Sequence, residues 1–330
     1  MTQFDVFNGD ADGICALQQL RLTAPAESVL VTGLKRDVAL LGRVCAERGD
    51  AVTVLDVSVD ANRVALASLL DRGVHVRYFD HHYAGDLPVS AFLDAFIDTS
   101  ADTCTSLIVD RHLDGAQRRW AVVGAYGDNL LRSARTCADS VQLSECERNQ
   151  LRELGENLAY NAYGDREADV IVHPADLYRT LAPYADPLHF IRDNALCDRI
   201  GEQKRADLDQ AERVEAAITR PGFVLYLLPD AAWARRARGI LANAHANRSP
   251  TRAHAVLTVN DGGGFTVSLR APVAAPCGAD TVCRQFVTGG GRAAAAGINE
   301  LPPDRLAAFA DALGAAFPRP VDHPHAAPRE

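Results

Sequence analysis

Apolar residues along the first eighty positions follow two alternating patterns. Phe4 to Phe7, Val29 to Thr32, Val52 to Val57 and Val74 to Phe79 are short apolar or β-branched runs. Val52 to Val57 is β-branched and continuous, as a strand buried on both faces should be. Between these runs the spacing is helical over Ile14 to Leu22, with Ile14, Leu17 and Leu20 or Leu22 on one face. Helices are also predicted over Val38 to Arg48 and over Asn62 to Arg72, the latter closed by Gly73 as a left-handed stop. Strands alternating with helices predict a parallel sheet covered by helices. From Ala91 to Gln210 the pattern turns mainly helical, with helices over Ala101 to His112 and Arg118 to Tyr126. Arg205 to Thr219 is charged, poor in large apolar residues and ends at Pro221-Gly222, so it reads as a helical connector. A second, smaller α/β pattern follows. It has strands over Phe223 to Leu228, Ala253 to Val259 and Phe265 to Arg270, and helices over Ala231 to Ala246 and Arg305 to Phe317. Asp261-Gly-Gly-Gly264 between two of these strands predicts a hairpin. The expected organisation is a domain over 1–204, a linker helix over 205–221, a second domain over 222–317 and a disordered tail over 318–330.

Composition narrows the partners. The 330 residues leave room for about two domains. With 34 basic and 43 acidic side chains the formal charge is −9. That balance argues against an electrostatic grip on long duplex nucleic acid, which needs many phosphates neutralised. Small anionic substrates held in a local basic pocket stay open. Eight cysteines without a C-x-x-C pair, and a start without a leader pattern, read as reduced thiols of a cytoplasmic protein. No apolar run approaches the ~20 residues of a membrane helix, so no membrane partner is expected.

The chemistry gathers at predicted strand ends. Asn8-Gly-Asp10-Ala-Asp12-Gly13 follows the first strand, Asp56 ends the third, and Asp80-His81-His82 ends the fourth. In a parallel sheet these carboxyl ends share one edge, where ligands bind. Carboxylates so close need a counter-charge, and a pair of divalent cations supplies it. Oxygen ligands with a few imidazoles favour Mn²⁺ or Mg²⁺ over structural zinc. Asp-x-Asp-Gly alone also fits a turn or the opening of a calcium loop, but Gln19 stands where that loop requires Glu. Single strand-end aspartates often cap helices; three such segments at successive strand ends favour a shared site.

With these motifs the sequence resembles the DHH phosphoesterase superfamily. Asp80-His81-His82 is its naming motif, Asp10-Ala-Asp12-Gly13 resembles the first motif, Asp56 the second, and Asp128 in Gly124-Ala-Tyr-Gly-Asp-Asn129 the fourth. Thr103-Cys-Thr-Ser106 resembles the small-polar helix start after the DHH strand. The carboxyl-terminal part resembles the DHH-associated domain: Ser268-Leu-Arg270, Gly239-Ile-Leu-Ala-Asn243, and the glycine-rich loop Gly289-Gly-Gly-Arg292 before Ala295-Ala-Gly297. Two departures stand out. Val6 takes the place of a His found in the nanoRNase-like branch, where the exonuclease branch instead has Asp at the position of Asn8, and Arg292 replaces the usual loop His.

The resemblance implies an α/β catalytic domain with a helical extension and a smaller α/β substrate domain that closes over the site. It implies two Mn²⁺ ions, with Mg²⁺ as the alternative, held by Asp10, Asp12, Asp56 (bridging), His81 and Asp128, and by Asn8 if that amide makes up for Val6. The ion pair, about 3.5–4 Å apart, would activate a bridging water. Asp80 would orient a histidine, and His82 would contact the scissile phosphate or protonate the leaving oxygen. Ser268, Arg270, Gly289, Gly290, Gly291 and Arg292 would hold another phosphate of the substrate. The implied substrate is a very short 5′-phosphorylated oligonucleotide, such as a linear dinucleotide of the pGpG type, cut to mononucleotides. Alternatives are 3′-phosphoadenosine 5′-phosphate and, in another class, a nucleotide-binding regulator without turnover. A homodimer is compatible with the sequence, which does not fix the oligomeric state. The remaining histidines and the cysteines, Cys15 included, read as packing or surface residues.

Overall fold

The computed structural model describes residues 1–321, in two compact units that divide between Gln203 and Lys204. The first unit opens with β1 (Gln3–Asn8), α1 (Ala11–Thr23), β2 (Val29–Gly33), β3 (Ala51–Leu55), α2 (Val59–Asp71), β4 (His75–Asp80) and β5 (Leu93–Ile97). It continues as helices: α3 (Thr105–His112), α4 (Arg118–Gly127), α5 (Leu131–Ser140), α6 (Glu145–Asn161), α7 (Pro174–Leu181), α8 (Pro187–Asp193) and α9 (Leu196–Glu212), which runs past the division. The five strands form one sheet in the order β2-β1-β3-β4-β5, and every pair is parallel. The chain leaves β1 to one side and returns to its other side at β3. This reversal opens a crevice beyond the carboxyl ends of β1 and β3. Register keeps those ends level, with Phe7 opposite Leu55 and Leu55 opposite Phe79.

Strand alternation sorts the core into two layers. Phe7, Leu55 and Phe79 pack with α1, α3 and α4 residues such as Ile14, Leu107 and Trp120. Val6, Val54 and Tyr78 face the other way, onto Leu40, Leu41, Leu66 and Leu69. Helix starts follow local chemistry: Asp10 caps α1, and Ser144 with Glu147 forms a capping box on α6.

Four sequence expectations change here. The helix expected over Val38 to Arg48 is only a short 3₁₀ turn, Leu40–Arg43. Asn62 on α2 takes its backbone groups instead, accepting from the Leu41 N–H at 3.0 Å and donating to the Val38 carbonyl at 2.5 Å. Leu93–Ile97, inside the stretch read as helical, is the edge strand β5, and Phe96 stacks on Phe79 with ring centres 4.6 Å apart. The connector read as helical from Arg205 to Thr219 is helical only to Glu212, and Ala216–Thr219 is a strand. The glycine-rich loop is itself a strand, Gly289–Gly291, followed by a hairpin turn.

The second unit contains β6 (Ala216–Thr219), β7 (Phe223–Leu228), α10 (Ala232–Arg248), β8 (Ala253–Val259), β9 (Phe265–Arg270), α11 (Ala279–Cys283), β10 (Gly289–Gly291), β11 (Ala295–Leu301) and α12 (Leu306–Ala316). Its sheet runs β10-β11-β9-β8-β7-β6. Only β7–β8 is parallel, and β8–β9 is the hairpin predicted around Gly262 to Gly264. The disordered tail expected from Pro318 lies outside the described residues from 322 onward; before that, the Val321 N–H donates to the Thr251 carbonyl at 2.9 Å.

Candidate metal centre

The expected residues of the acidic cluster reach the crevice from the ends of β1, β3 and β4 and, for Asp128, from the end of helix α4. After β1 the chain turns through Gly9 so that Asp10 heads α1, and Asp10 Oδ1 accepts from the N–H groups of Asp12 and Gly13 at 3.0 and 3.3 Å. Asp12, buried, is held by the amino end of α3, where Thr105 and Ser106 N–H groups donate to its two oxygens at 2.8 and 2.7 Å. The helix start expected at Thr103 to Ser106 therefore serves to orient a carboxylate. Asp56 follows β3 with φ 58°, in the left-handed region that few non-glycine residues adopt. Such strain collects at functional positions. Here Thr105 Oγ1 donates to Asp56 Oδ1 at 3.3 Å.

Asp80 ends β4 fully buried, and His82 Nδ1 donates to its Oδ1 at 2.7 Å. Its Oδ2 is buried with no hydrogen-bond partner among the described residues. His81 turns Nε2 inward, 3.3 Å from Asp56 Oδ1 and 3.9 Å from Asp128 Oδ2. Asp128 caps the carboxyl end of α4. That helix approaches α1 closely because Gly127 has no side chain; a Cβ there would sit 2.2 Å from the Cβ of Ala11.

Two sets of three side chains can each put one ligand atom within 4.8 Å of the others: Asp56, His81 and His82, and Asp12, His81 and Asp128. Asp10 stands beside them but is in neither set. Asn8 uses its amide on the backbone, accepting from the Asp10 N–H at 3.2 Å and donating to the Lys35 carbonyl at 3.2 Å. Val6 is fully buried in the core beneath α2. Gln19, weighed above for a calcium loop, lies inside α1, where its amide bonds the Cys15 and Ser106 carbonyls.

Electrostatics record the crowding. Burial, then repulsion from Asp12 and Asp10, drives the Asp56 carboxyl well above the usual carboxylate range. Burial and Asp12 push Asp128 up to about 6, against the pull of Lys35 and His81. The hydrogen bond to Asp80 raises the His82 imidazole against its partial burial. Burial and the same aspartates carry the Cys15 thiol well up, which keeps it from serving as a nucleophile. Repelling carboxylates beside an imidazole, one of them strained and one with an orphaned oxygen, fit a divalent cation.

The sequence reading missed Lys35. Its Nζ lies 2.5 Å from Asp10 Oδ2 and 3.6 Å from Asp128 Oδ1. Burial would lower this amine, but Asp10 and Asp128 hold it well above the ordinary lysine range. The available signal was its place: Leu34-Lys35 directly follows β2 at the same sheet edge.

The phosphate-holding residues expected in the second unit share its sheet. Ser268 on β9 pairs with Gly297 on β11, which pairs with Gly290 on β10. Arg270 pairs with Ala295, beside the turn that carries the exposed Arg292. Asn243 Oδ1 on α10 accepts from Arg270 Nε at 2.5 Å. Gly289 offers less than expected, because its N–H donates to the Phe286 carbonyl at 2.9 Å.

A parallel five-stranded sheet, this cluster beyond its carboxyl ends and the second mixed sheet define an architecture: the chain has the fold of the DHH phosphoesterase superfamily. Among solved structures, the manganese-bound exonuclease RecJ matches with a TM-score of 0.63 at 15% identity, over 98% of this chain and 91% of that one. RecJ from Thermus thermophilus in complex with Mn²⁺ matches with a TM-score of 0.61 at 18% identity, over 97% of this chain but 53% of its own length. PggH, a pGpG-specific phosphodiesterase from Vibrio cholerae, matches with a TM-score of 0.55 at 15% identity, over 95% and 97% of the two chains. At these identities the likeness is one of fold. No family model matches the sequence, and no curated protein matches it. Among the described residues, no helix is long and apolar enough to cross a membrane.

Proposed function

We propose that the protein is a metal-dependent phosphodiesterase that cuts very short 5′-phosphorylated oligonucleotides, foremost a linear dinucleotide of the pGpG type, to nucleoside monophosphates. The observation that carries this reading is the convergence of four separate segments into two overlapping sets able to hold a cation, Asp12 with His81 and Asp128, and Asp56 with His81 and His82. Manganese suits carboxylates mixed with imidazole. A divalent ion there supplies a water acidic enough to act near neutral pH and offsets charge on phosphoryl oxygens. The chain's own residues supply the rest. Asp80 fixes the His82 ring through Nδ1, leaving Nε2 to hold a proton for the leaving oxygen or a phosphate oxygen. Thr105 and Ser106 hold Asp12 in one orientation, which limits reorganisation during the reaction. In the second unit, Ser268, Arg270, Arg292 and the glycine strand bind a substrate phosphate, with the arginines offering paired donors. The overall charge of −9 favours short substrates over long strands.

A substrate panel with Mn²⁺ tests the reading: pGpG, 3′-phosphoadenosine 5′-phosphate, a long single strand and pyrophosphate. Mononucleotide release from pGpG is expected, and Asp56→Ala and His81→Ala should each lose more than about a hundredfold in kcat/KM. Near-wild-type turnover by either folded variant would overturn the assignment. Binding without product would favour a nucleotide-binding regulator.

A further inference from the structure

Lys35 is fixed in the chain more firmly than a surface lysine needs to be. Its backbone N–H donates to the Ala162 carbonyl at 3.1 Å, and its carbonyl accepts from Asn8 Nδ2 at 3.2 Å. Backbone bonds on both sides of its Cα aim the side chain into the crevice, where the ammonium lies between Asp10 and Asp128. Both Asp10 oxygens thereby have partners in the chain. One oxygen accepts from the start of α1 and the other faces Lys35 Nζ. Asp10 belongs to neither set of candidate ligands.

Those two sets also compete. Both require His81, and its Nε2 is the atom that approaches both Asp56 and Asp128. One imidazole nitrogen has one lone pair, so it can serve one ion. Additional ligands are missing on the Asp10 side, since Val6 is in the core and the Asn8 amide is spent on the backbone. A dication placed between Asp10 and Asp128 would also meet the ammonium at close range.

We infer that the site takes a single divalent ion, and that the Lys35 ammonium stands in the position where a second ion would neutralise Asp10 and Asp128. The inference rests on the metal-dependent reading above, but it concerns the number of cations and can fail separately. On this arrangement Lys35 neutralises the carboxylates without needing a metal, and it is a positioning residue for Asp10 and Asp128.

Equilibrium dialysis against Mn²⁺, with electron paramagnetic resonance of the loaded full-length protein, tests the inference without reference to turnover. Wild type should bind one Mn²⁺ per chain and show the hyperfine pattern of an isolated ion. Lys35→Ala should free Asp10 and Asp128 and bind a second Mn²⁺, with a signal broadened by coupling between neighbouring ions. Lys35→Met provides the same loss of charge with a side chain of similar length, should the alanine variant fail to fold. Two coupled ions in the wild type would overturn the inference and leave the metal-dependent reading standing. A variant that folds and still binds one ion with unchanged affinity would also overturn it. No Mn²⁺ bound to wild type would sink the inference and the metal-dependent reading together.

Discussion

Asp56 combines two costs at one residue. Its backbone is left-handed at φ 58°, a conformation that among side-chain-bearing residues Asn and Asp tolerate best. Its carboxylate is buried with Asp10 and Asp12 as repelling neighbours. Asn preserves the backbone preference and removes the charge. Metal-free Asp56→Asn should therefore be more stable than wild type by about 1 kcal/mol or more, roughly 2–4 °C in Tm for a unit of this size, while losing metal-dependent turnover. Calorimetry in the presence of a chelator checks this, and a Tm below wild type would contradict the account of Asp56. The identity of this residue was legible in the sequence because it ends a β-branched run. Its backbone turn was not, since nothing in Thr53-Val-Leu-Asp56 marks a positive φ. Lys35 was illegible for another reason: its meaning comes from Asp10 and Asp128, which only the folded sheet edge brings to it.

At the scale of elements, α1 shows how far a hydrophobic stripe can inform. Ile14, Leu17 and Leu20 predicted a helix with one buried face, yet every residue from Ala11 to Leu20 is buried. The polar residues Gln18 and Gln19 are accommodated by carbonyls from Ala182, Tyr184, Cys15 and Ser106. Strand β3 was legible because a strand covered on both faces runs apolar and β-branched, as Val52 to Leu55 does. The segment around Leu40 misled, because Asn62 replaces the helical ladder there and a remote amide leaves no trace in local periodicity. Close contact of α1 with α4 gives a further expectation. Gly127→Ala would force a Cβ into Ala11, and overpacking of this kind costs about 1–3 kcal/mol. Urea unfolding should show that loss, together with weaker Mn²⁺ binding because Asp128 follows directly on the displaced turn. Unchanged stability would mean that the two helices can separate freely.

For the whole molecule, acid stability should be governed in part by a partly buried ring stack in the second unit. His245 lies parallel to Tyr226, with centres 4.1 Å apart, and next to His254 at 5.8 Å. Burial, His254 and Arg248 bring the His245 pKa down to about 4, although Glu212 pulls the other way, and burial lowers His254 as well. The folded value lies below the unfolded one of about 6.5, so the unfolded chain binds protons first on acidification. The contribution of His245 is complete above pH ~6.5 and lost progressively down to pH ~4. Melting curves at neutral and mildly acidic pH should show His245→Phe losing less than wild type; equal losses would remove His245 from the explanation. In the first unit, Asp10 caps α1 and Asp12 lies in its first turn, and the helix is buried from Ala11 to Leu20. No inexpensive local opening separates it from its surroundings. The amide hydrogens that face the Asp10 and Asp12 carboxylates are therefore bound to exchange with solvent on the slow clock of the unit's complete unfolding, which ties the lifetime of this arrangement to that of the fold itself.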